Sequence, residues 1–395
     1  MKKATFLLFV SLMLAFGATA QDKVVALSKA TASSYQSGNE AAQAIDGSTS
    51  TIWHSSWGST PTTFPVTLTI TLKEESLVDY VRYIPRQDGN VNGNWDQVYV
   101  AYCPTVKGGS FTNVGLYTLN GSSSSYDFVF DGGVQCGQIR FTIQSGSNGF
   151  ASAAEIAAYT YDNSKKELFA PYFADELYTV LKPEVTSSEG IEDADVKQLV
   201  ENLLADAEAY KKFRVGEYEP YMTLGTLQKS LGTKNQYNKY EYPTGVYLKN
   251  GQSCIVAVSG IGNDPVRLKI KNWYLSESSS SYSLHNGFNY ITATSEGNVF
   301  VDYYTDNFET APNVKVHFVN APVQGYWDQE TMTNADWVEM LKGRSADDNT
   351  IIITRSKHAQ LAYPISAWLK HCPSNIDSTM TLYQQVQWAE RDILG

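Results

Sequence analysis

Several kinds of chemistry are excluded by what the chain lacks. It has five histidines, His54, His285, His317, His358 and His371, and none is followed by glutamate. No pair of them is spaced one helical turn apart, so His-Glu-x-x-His zinc hydrolysis is not encoded within these residues. Four cysteines stand far apart, with no Cys-x-x-Cys spacing for a metal cluster. There is no Gly-x-Ser-x-Gly elbow and no phosphate loop. The carboxylates show no spacing that marks a glycosidase pair, and surface solvation accounts for them. Positive charge is in deficit, with 30 Lys and Arg against 41 Asp and Glu and a net charge of −11. A field of that sign disfavours nucleic acid and anionic lipid as partners. No stretch is long and apolar enough for a membrane span.

What is present is globular and aromatic: 43% hydrophobic residues, 26 tyrosines and 8 tryptophans, in 395 residues. That length suits two or three domains. The start reads as an export segment over 1–20: Lys2 and Lys3, the apolar run Phe6–Ala15, then small residues Ala18-Thr19-Ala20 ahead of Gln21. No cysteine follows for lipid attachment. The expected location is therefore secreted, periplasmic or cell-surface. Export permits disulfides, and Cys103 and Cys136 fall in one domain where they could pair. Four scattered thiols are equally consistent with free, buried side chains.

The hydrophobic pattern changes along the chain. Over 23–162, Val66, Leu68, Ile70 and Leu72 alternate with Thr67, Thr69 and Thr71, and similar runs lie at Val98–Tyr102, Tyr126–Phe130 and Ile139–Ile143. Period two with one buried face, broken by clusters such as Asp88-Gly89-Asn90 and Asp131-Gly132-Gly133, predicts a β-sandwich. Over 163–240 the period becomes helical, with Val196, Leu199, Val200, Leu203 and Leu204 forming one stripe and an earlier helix expected around Lys165–Leu181. This reads as a helical spacer. Over 241–326 strands return, Val266, Leu268 and Ile270 alternating with Arg267, Lys269 and Lys271. Over 327–395 helical signals end the chain, with Leu382, Val386, Ala389 and Ile393 as an apolar stripe. The fold class is thus mainly β and multi-domain: an N-terminal jelly-roll β-sandwich, a helical spacer, a second β-sandwich and a short α-helical C-terminal region.

Three motifs of the first domain carry chemistry. Ala44-Ile45-Asp46-Gly47 runs into Ser48–Thr51 and Trp53-His54-Ser55; Tyr83-Ile84-Pro85-Arg86-Gln87 follows; Phe150–Ile156 closes with Glu155 in an apolar strand. A carboxylate, a tight glycine turn, then hydroxyls and carbonyls suit a hard cation that takes six to eight oxygens. Each motif alone is ordinary. In this order they resemble the factor V/VIII C-terminal, or discoidin-like, fold, and are most similar to carbohydrate-binding modules of family thirty-two. The resemblance implies a jelly roll with structural calcium, for which Asp46, Thr51 and Glu155 match ligand positions and Ala154 would give a carbonyl. It implies a glycan site on loops at one end, with His54 and Arg86 at positions that bond galactose-type hydroxyls. Asn92 would add a hydrogen bond, and Phe150 or Trp57 an aromatic platform. Trp53 reads as core and Arg82 as a solvated strand residue.

The second half carries Tyr242–Gly251, Leu284–Ile291 and Val314–Val319. In that order they resemble the N-terminal β-domain of enhancin-like (M-sixty) zinc metallopeptidases, which act on mucin-type glycoproteins, and 381–395 resembles the start of their catalytic helical region. The zinc motif of that family would lie beyond Gly395, so the resemblance implies no zinc ligands within these residues. His317, in an alternating strand, reads as structural, and His358 and His371 receive no role. Three readings stand side by side. The chain binds galactose- or N-acetylgalactosamine-type glycans of mucin-like glycoproteins, or it is the front portion of a mucin-directed metallopeptidase, or it is a non-catalytic surface protein.

Overall fold

The computed structural model describes residues 22–58, 61–232, 241–262, 264–272, 279–357 and 359–394. The predicted export segment and His358 lie outside the described residues. Two compact units divide the chain, 21–162 and 163–395.

In the N-terminal unit the strands are β1 (Lys23–Val25), β2 (Leu27–Ala32), β3 (Trp53–His54), β4 (Val66–Ile84), β5 (Trp95–Cys103), β6 (Thr112–Thr118), β7 (Tyr126–Gly146), β8 (Ser152–Ala153) and β9 (Glu155–Thr160). β4 and β7 are long enough to serve both layers of a sandwich. The first part of β4 pairs with β2 and with 138–143 of β7, and β7 continues onto β5 and β6. The last part of β4 pairs with 126–129 of β7 on one side and with β9, then β1, on the other. The turn expected at Asp131-Gly132-Gly133 is instead an irregularity inside β7. Gly132 and Gly133 both take φ of +72°, which bends the strand without ending it. The alternation holds: Val66, Leu68, Ile70 and Leu72 are buried, with Trp53, Trp95, Phe128 and Phe141, in one core between the layers. Arg82 is not simply solvated. It forms a two-point ion pair with Asp127 at 2.7 and 2.8 Å and lies against the Tyr80 and Tyr159 rings, because its strand face is lined by tyrosines. Cys103 and Cys136 are buried free thiols, as are Cys254 and Cys372.

The C-terminal unit opens with α1 (Ser164–Phe169), α2 (Ala194–Lys211), β10 (Val215–Tyr218) and α3 (Leu224–Leu231). Then come β11 (Tyr242–Leu248), β12 (Ser253–Ser259), β13 (Val266–Lys271), β14 (Ser279–Ser283), β15 (Gly287–Thr292), β16 (Gly297–Tyr303) and β17 (Val314–Val319). Two four-stranded sheets, β10-β17-β12-β15 and β11-β16-β13-β14, share one core. The chain ends with β18 (Trp327–Asp328), α4 (Asn334–Leu341), β19 (Ile351–Arg355), β20 (Gln360–Pro364), α5 (Ile365–His371) and α6 (Ile376–Leu394), the strands forming a three-stranded sheet.

The helix expected over Lys165–Leu181 stops at Phe169, two residues before Pro171, which disfavours continuation. Beyond it the Asp175 carboxylate accepts from the Thr179 and Val180 amides, at 2.8 Å each, so backbone donors are met by a side chain rather than a helix. Nor does 163–231 stand apart as a spacer. Val196, Leu199, Val200 and Leu203 are buried in one cluster with Ala257, Phe288 and Val319 of the sheet, and Tyr178 stacks on Phe288 at 4.6 Å. The apolar stripe of α2 is what draws it onto the sheet. Its start is capped by Asp193, and Lys165 holds Asp193 and Asp195 at 2.6 and 2.7 Å. The stripe expected on α6 is not its packed face. Leu382 and Val386 are exposed, whereas Ile376 and Met380, one turn apart, sit in the core with Trp337 and Trp368.

Candidate functional site

One end of the N-terminal sandwich gathers most of the residues singled out from sequence. β3 and β8 form a two-stranded ladder pairing His54 with Ser152. Ser152 donates its amide to Gly93 O at 2.7 Å and its hydroxyl to Asn92 O at 3.1 Å. The loops 85–94 and 147–152 are thus sewn together beside His54. Gly93 has φ of +87°, and a Cβ there would approach Ser152 N to 2.8 Å. We expect Gly93→Ala to cost about 1–3 kcal/mol, read as a lower melting temperature of the N-terminal unit; unchanged melting would contradict this account of the loops.

The His54 imidazole is buried, with the Trp57 ring edge-on at 4.8 Å and the Phe150 ring at 5.2 Å. Its Nδ1 lies 2.7 Å from Ser55 O. A carbonyl only accepts, so Nδ1 carries the proton and Nε2 offers a lone pair. Burial, and secondarily the Arg86 charge, lower its pKa against the raising effect of the Ser55 carbonyl. The ring is therefore neutral at neutral pH, and Nε2 has no protein partner among the described residues. Arg86 is mostly buried. It donates Nε and Nη2 to the Asp88 carboxylate at 2.8 and 2.6 Å and Nη1 to Asn92 O at 3.3 Å. Those bonds use three of the five guanidinium N–H groups. Asp88 is held down at about 2, chiefly by the Arg86 hydrogen bonds.

An acceptor nitrogen on a ring flanked by two aromatic side chains, and a fixed fork of donors whose charge acts on that ring, suit adjacent sugar hydroxyls and an apolar sugar face. Asn92 has its Oδ1 engaged by Asn148 Nδ2 at 2.6 Å. Its amide nitrogen is the group left to meet a ligand. Asp88 and Asn148 were not anticipated from sequence. Asp88 stands two residues after Arg86, and Asn148 precedes a glycine in the left-handed region at φ of +57°, a placement that favours asparagine.

The second constellation lies at 46–51 and 155. Asp46 follows a short 3-10 turn over 41–45 and accepts from Ser48 N at 2.9 Å and from Thr51 Oγ1 at 2.7 Å. Glu155, at the start of β9, accepts from Gly47 N at 3.0 Å. Two carboxylates more than a hundred positions apart thus bond to neighbouring residues of one loop. Burial, opposed by the Gly47 amide and reinforced by the Asp46 charge, pushes Glu155 up to about 7. Ala154 is fully buried and its amide donates to Ile84 O at 2.9 Å. Among the described residues no group of three or more His, Cys, Asp or Glu side chains is placed to share a metal. Two carboxylates, a threonine hydroxyl and loop carbonyls are nevertheless the oxygen set that a hard cation takes. A positive charge there would favour the ionised carboxylate and so oppose the shift that burial and Asp46 impose on Glu155.

Elsewhere His317 is fully buried between the Leu177 carbonyl, 2.6 Å from Nδ1, and the Tyr210 hydroxyl, 2.9 Å from Nε2. It pins α2 and the preceding loop to β17.

Parts of the chain are similar to known proteins. Residues 29–156 match the F5/8 type C domain, roughly a third of the chain. A galactose oxidase of Gibberella zeae is 45% identical over 64 residues, 16% of this chain and 9% of that protein. The family 32 carbohydrate-binding module from C. perfringens NanJ, solved with galactose, is 28% identical, covering 35% of this chain and all of that one, with a TM-score of 0.32. A metallopeptidase from Bacteroides thetaiotaomicron shares the fold over 60% of this chain at 24% identity and a TM-score of 0.51. This chain spans 42% of that metallopeptidase.

Proposed function

We propose that the N-terminal unit binds a galactose- or N-acetylgalactosamine-type sugar at His54, Arg86, Trp57, Phe150 and Asn92. The observation that carries this reading is a neutral His54 whose Nε2 has no partner among the described residues, under the charge of a mostly buried Arg86 that keeps spare donors. One sugar hydroxyl donates to Nε2. Its neighbour accepts from Arg86, and the ring's C–H face lies against an aromatic side chain. The F5/8 type C match over 29–156 supports the same assignment.

Calorimetric titration of the full chain with galactose, N-acetylgalactosamine and glucose tests it. Arg86→Ala weakens binding of the first two at least about tenfold, which is about 1.4 kcal/mol. Melting changes little, since an ion pair with an exposed partner contributes about 0–1 kcal/mol. Affinity also falls as acid protonates His54 and turns its acceptor into a donor. Undiminished galactose binding by Arg86→Ala would sink the assignment.

The same reading includes calcium held by Asp46, Thr51, Glu155 and the Ala154 carbonyl, a structural ion that fixes the loop under β9. It also includes work outside the cytoplasm after removal of 1–20, with mucin-type glycoproteins as the partners. A second reading, favoured by the fold shared with the metallopeptidase, makes the chain the front portion of a glycoprotein-directed peptidase. That reading gains support if a longer gene product cleaves mucin and a chelator stops it, and loses it if the longer product leaves mucin intact.

A further inference from the structure

Three charged side chains of the C-terminal unit lie side by side on one face of the β11-β16-β13-β14 sheet. The register sets Tyr242 opposite Val301, so Glu241, one position earlier, falls beside Asp302. Lys269 stands opposite Phe300, two positions along β16 from Asp302 and so on the same face. The Lys269 Nζ is 2.7 Å from Asp302 Oδ2 and 3.0 Å from Glu241 Oε1. Lys271 pairs with the other Glu241 oxygen.

This face is covered. Phe300 is fully buried in one cluster with Ile351 and Ile353 of β19, and Asn298 on the same strand donates to Ile351 O at 2.9 Å. The Glu241, Asp302 and Lys269 side chains are 4%, 8% and 19% exposed. An ordinary ion pair in this unit looks different. Lys165 also bridges two carboxylates, but Asp195 is 45% exposed and Asp193 is engaged in capping α2.

An amine nitrogen held against a carboxyl group, with water largely kept out, is the arrangement from which an amide forms. A nitrogen in hydrogen-bond contact with Oδ2 is near the carboxyl carbon, roughly the 3–3.5 Å of a near-attack contact. Burial works to lower the Lys269 pKa, and the Asp302 and Glu241 bonds more than offset it, so the pair rests as ammonium and carboxylate. One proton passing along the 2.7 Å contact gives the neutral amine and acid, the form that a buried setting favours relative to water. Two carboxylates side by side also ease protonation of one of them. The link forms once per molecule, so a sparsely populated reactive form is sufficient.

We propose that Lys269 and Asp302 join in an intramolecular isopeptide bond, with Glu241 as the proton carrier. Nζ forms a bond to Asp302 Cγ, and the bond from Cγ to its hydroxyl breaks. The second proton that Nζ loses passes through Glu241 to the departing hydroxyl, which leaves as water, and Glu241 is unchanged at the end. Ammonium and carboxylate thus become one amide and one water, with no oxidant or cofactor. The bond ties β13 to β16 in a unit whose Cys254 and Cys372 are free thiols. Nothing in this assignment depends on the sugar site.

Mass spectrometry of the denatured full chain tests it. The expected mass, for the N-terminus found, is lower than the sequence requires by one water. Trypsin digestion should give one fragment in which the segment bearing Lys269 is joined to the segment bearing Asp302, uncut after Lys269. Lys269→Arg keeps the positive charge but shows its full mass. Glu241→Gln is largely unlinked when fresh and links about a hundredfold more slowly on incubation, the lower end of what a positioned proton carrier contributes. Circular dichroism verifies that the variants fold, and the wild-type mass decides the case if one does not. A folded wild-type chain of full mass overturns the proposal. So does a water loss confined to a single fragment, which marks an aspartyl imide, or one that persists in Lys269→Arg. Complete linkage in fresh Glu241→Gln overturns the part given to Glu241.

Discussion

Moving from about pH 7.5 to about pH 5 will destabilise the C-terminal unit by about 2 kcal/mol through His317 alone. Burial is the largest cause of its lowered pKa. The Leu177 carbonyl and Asp175 oppose it, Arg214 and Lys211 reinforce it, and the result is about 4 against an ordinary 6.5. In the folded unit the ring stays neutral down to about 4, whereas in the unfolded chain it takes up a proton near 6.5. Between those values the unfolded state binds more protons, so the contribution is complete above the ordinary value and is lost as pH falls toward 4. For a unit of about 150–250 residues, each kcal/mol moves the melting temperature by roughly 2–4 °C. The control is His317→Gln, which melts lower at neutral pH because the Leu177 and Tyr210 contacts are lost, but responds less to acid. Equal acid sensitivity of wild type and His317→Gln would refute this account.

Glu155 gives the N-terminal unit the opposite sign. Its folded pKa is raised, to about 7. Without a cation, its contribution is present below the ordinary carboxyl range and is lost as pH rises through about 7. Chelated protein should therefore melt higher at mildly acid than at mildly alkaline pH, as far as this group is concerned. Calcium reverses the trend, because the ionised carboxylate is the form it binds, and stabilisation grows with the ratio of free calcium to its dissociation constant. We expect chelation at neutral pH to lower the melting temperature of the N-terminal unit by several degrees. Asp46→Ala should have a similar effect, and Glu155→Gln should be insensitive to chelator. Identical melting of the wild-type unit with and without chelator would remove calcium from the assignment.

The periodic parts of this fold were legible in the sequence. Val66 to Leu72 and Val266 to Ile270 alternate because one face of each strand is buried, and that pattern needs no tertiary information. The helical stripe of α2 was equally plain, but its role was not. Only the sheet residues Ala257, Phe288 and Val319 reveal that the helix is packed core rather than a spacer. The helix expected over Lys165–Leu181 failed because Pro171 and the Asp175 side chain compete locally for the backbone, an effect apolar spacing does not register. At the candidate sugar site, residue types with planar donors and aromatic faces stood out in the sequence. The members that act through another group did not: Asp88 orients Arg86, and Asn148 fixes Asn92.

The pairing of β4 with β9 sets Ile84 opposite Glu155. Ile84 is two positions before Arg86, so the proposed cation loop and the proposed sugar loop meet across a single rung of the ladder. Whatever holds Glu155 in place also limits the freedom of the strand end from which Arg86 projects. Calcium and galactose should then be thermodynamically coupled. If the ion strengthens sugar affinity by some factor, the sugar must strengthen ion affinity by that same factor. Calcium titrations run with and without saturating galactose read that factor directly, and a value of one would mean that the rung transmits nothing.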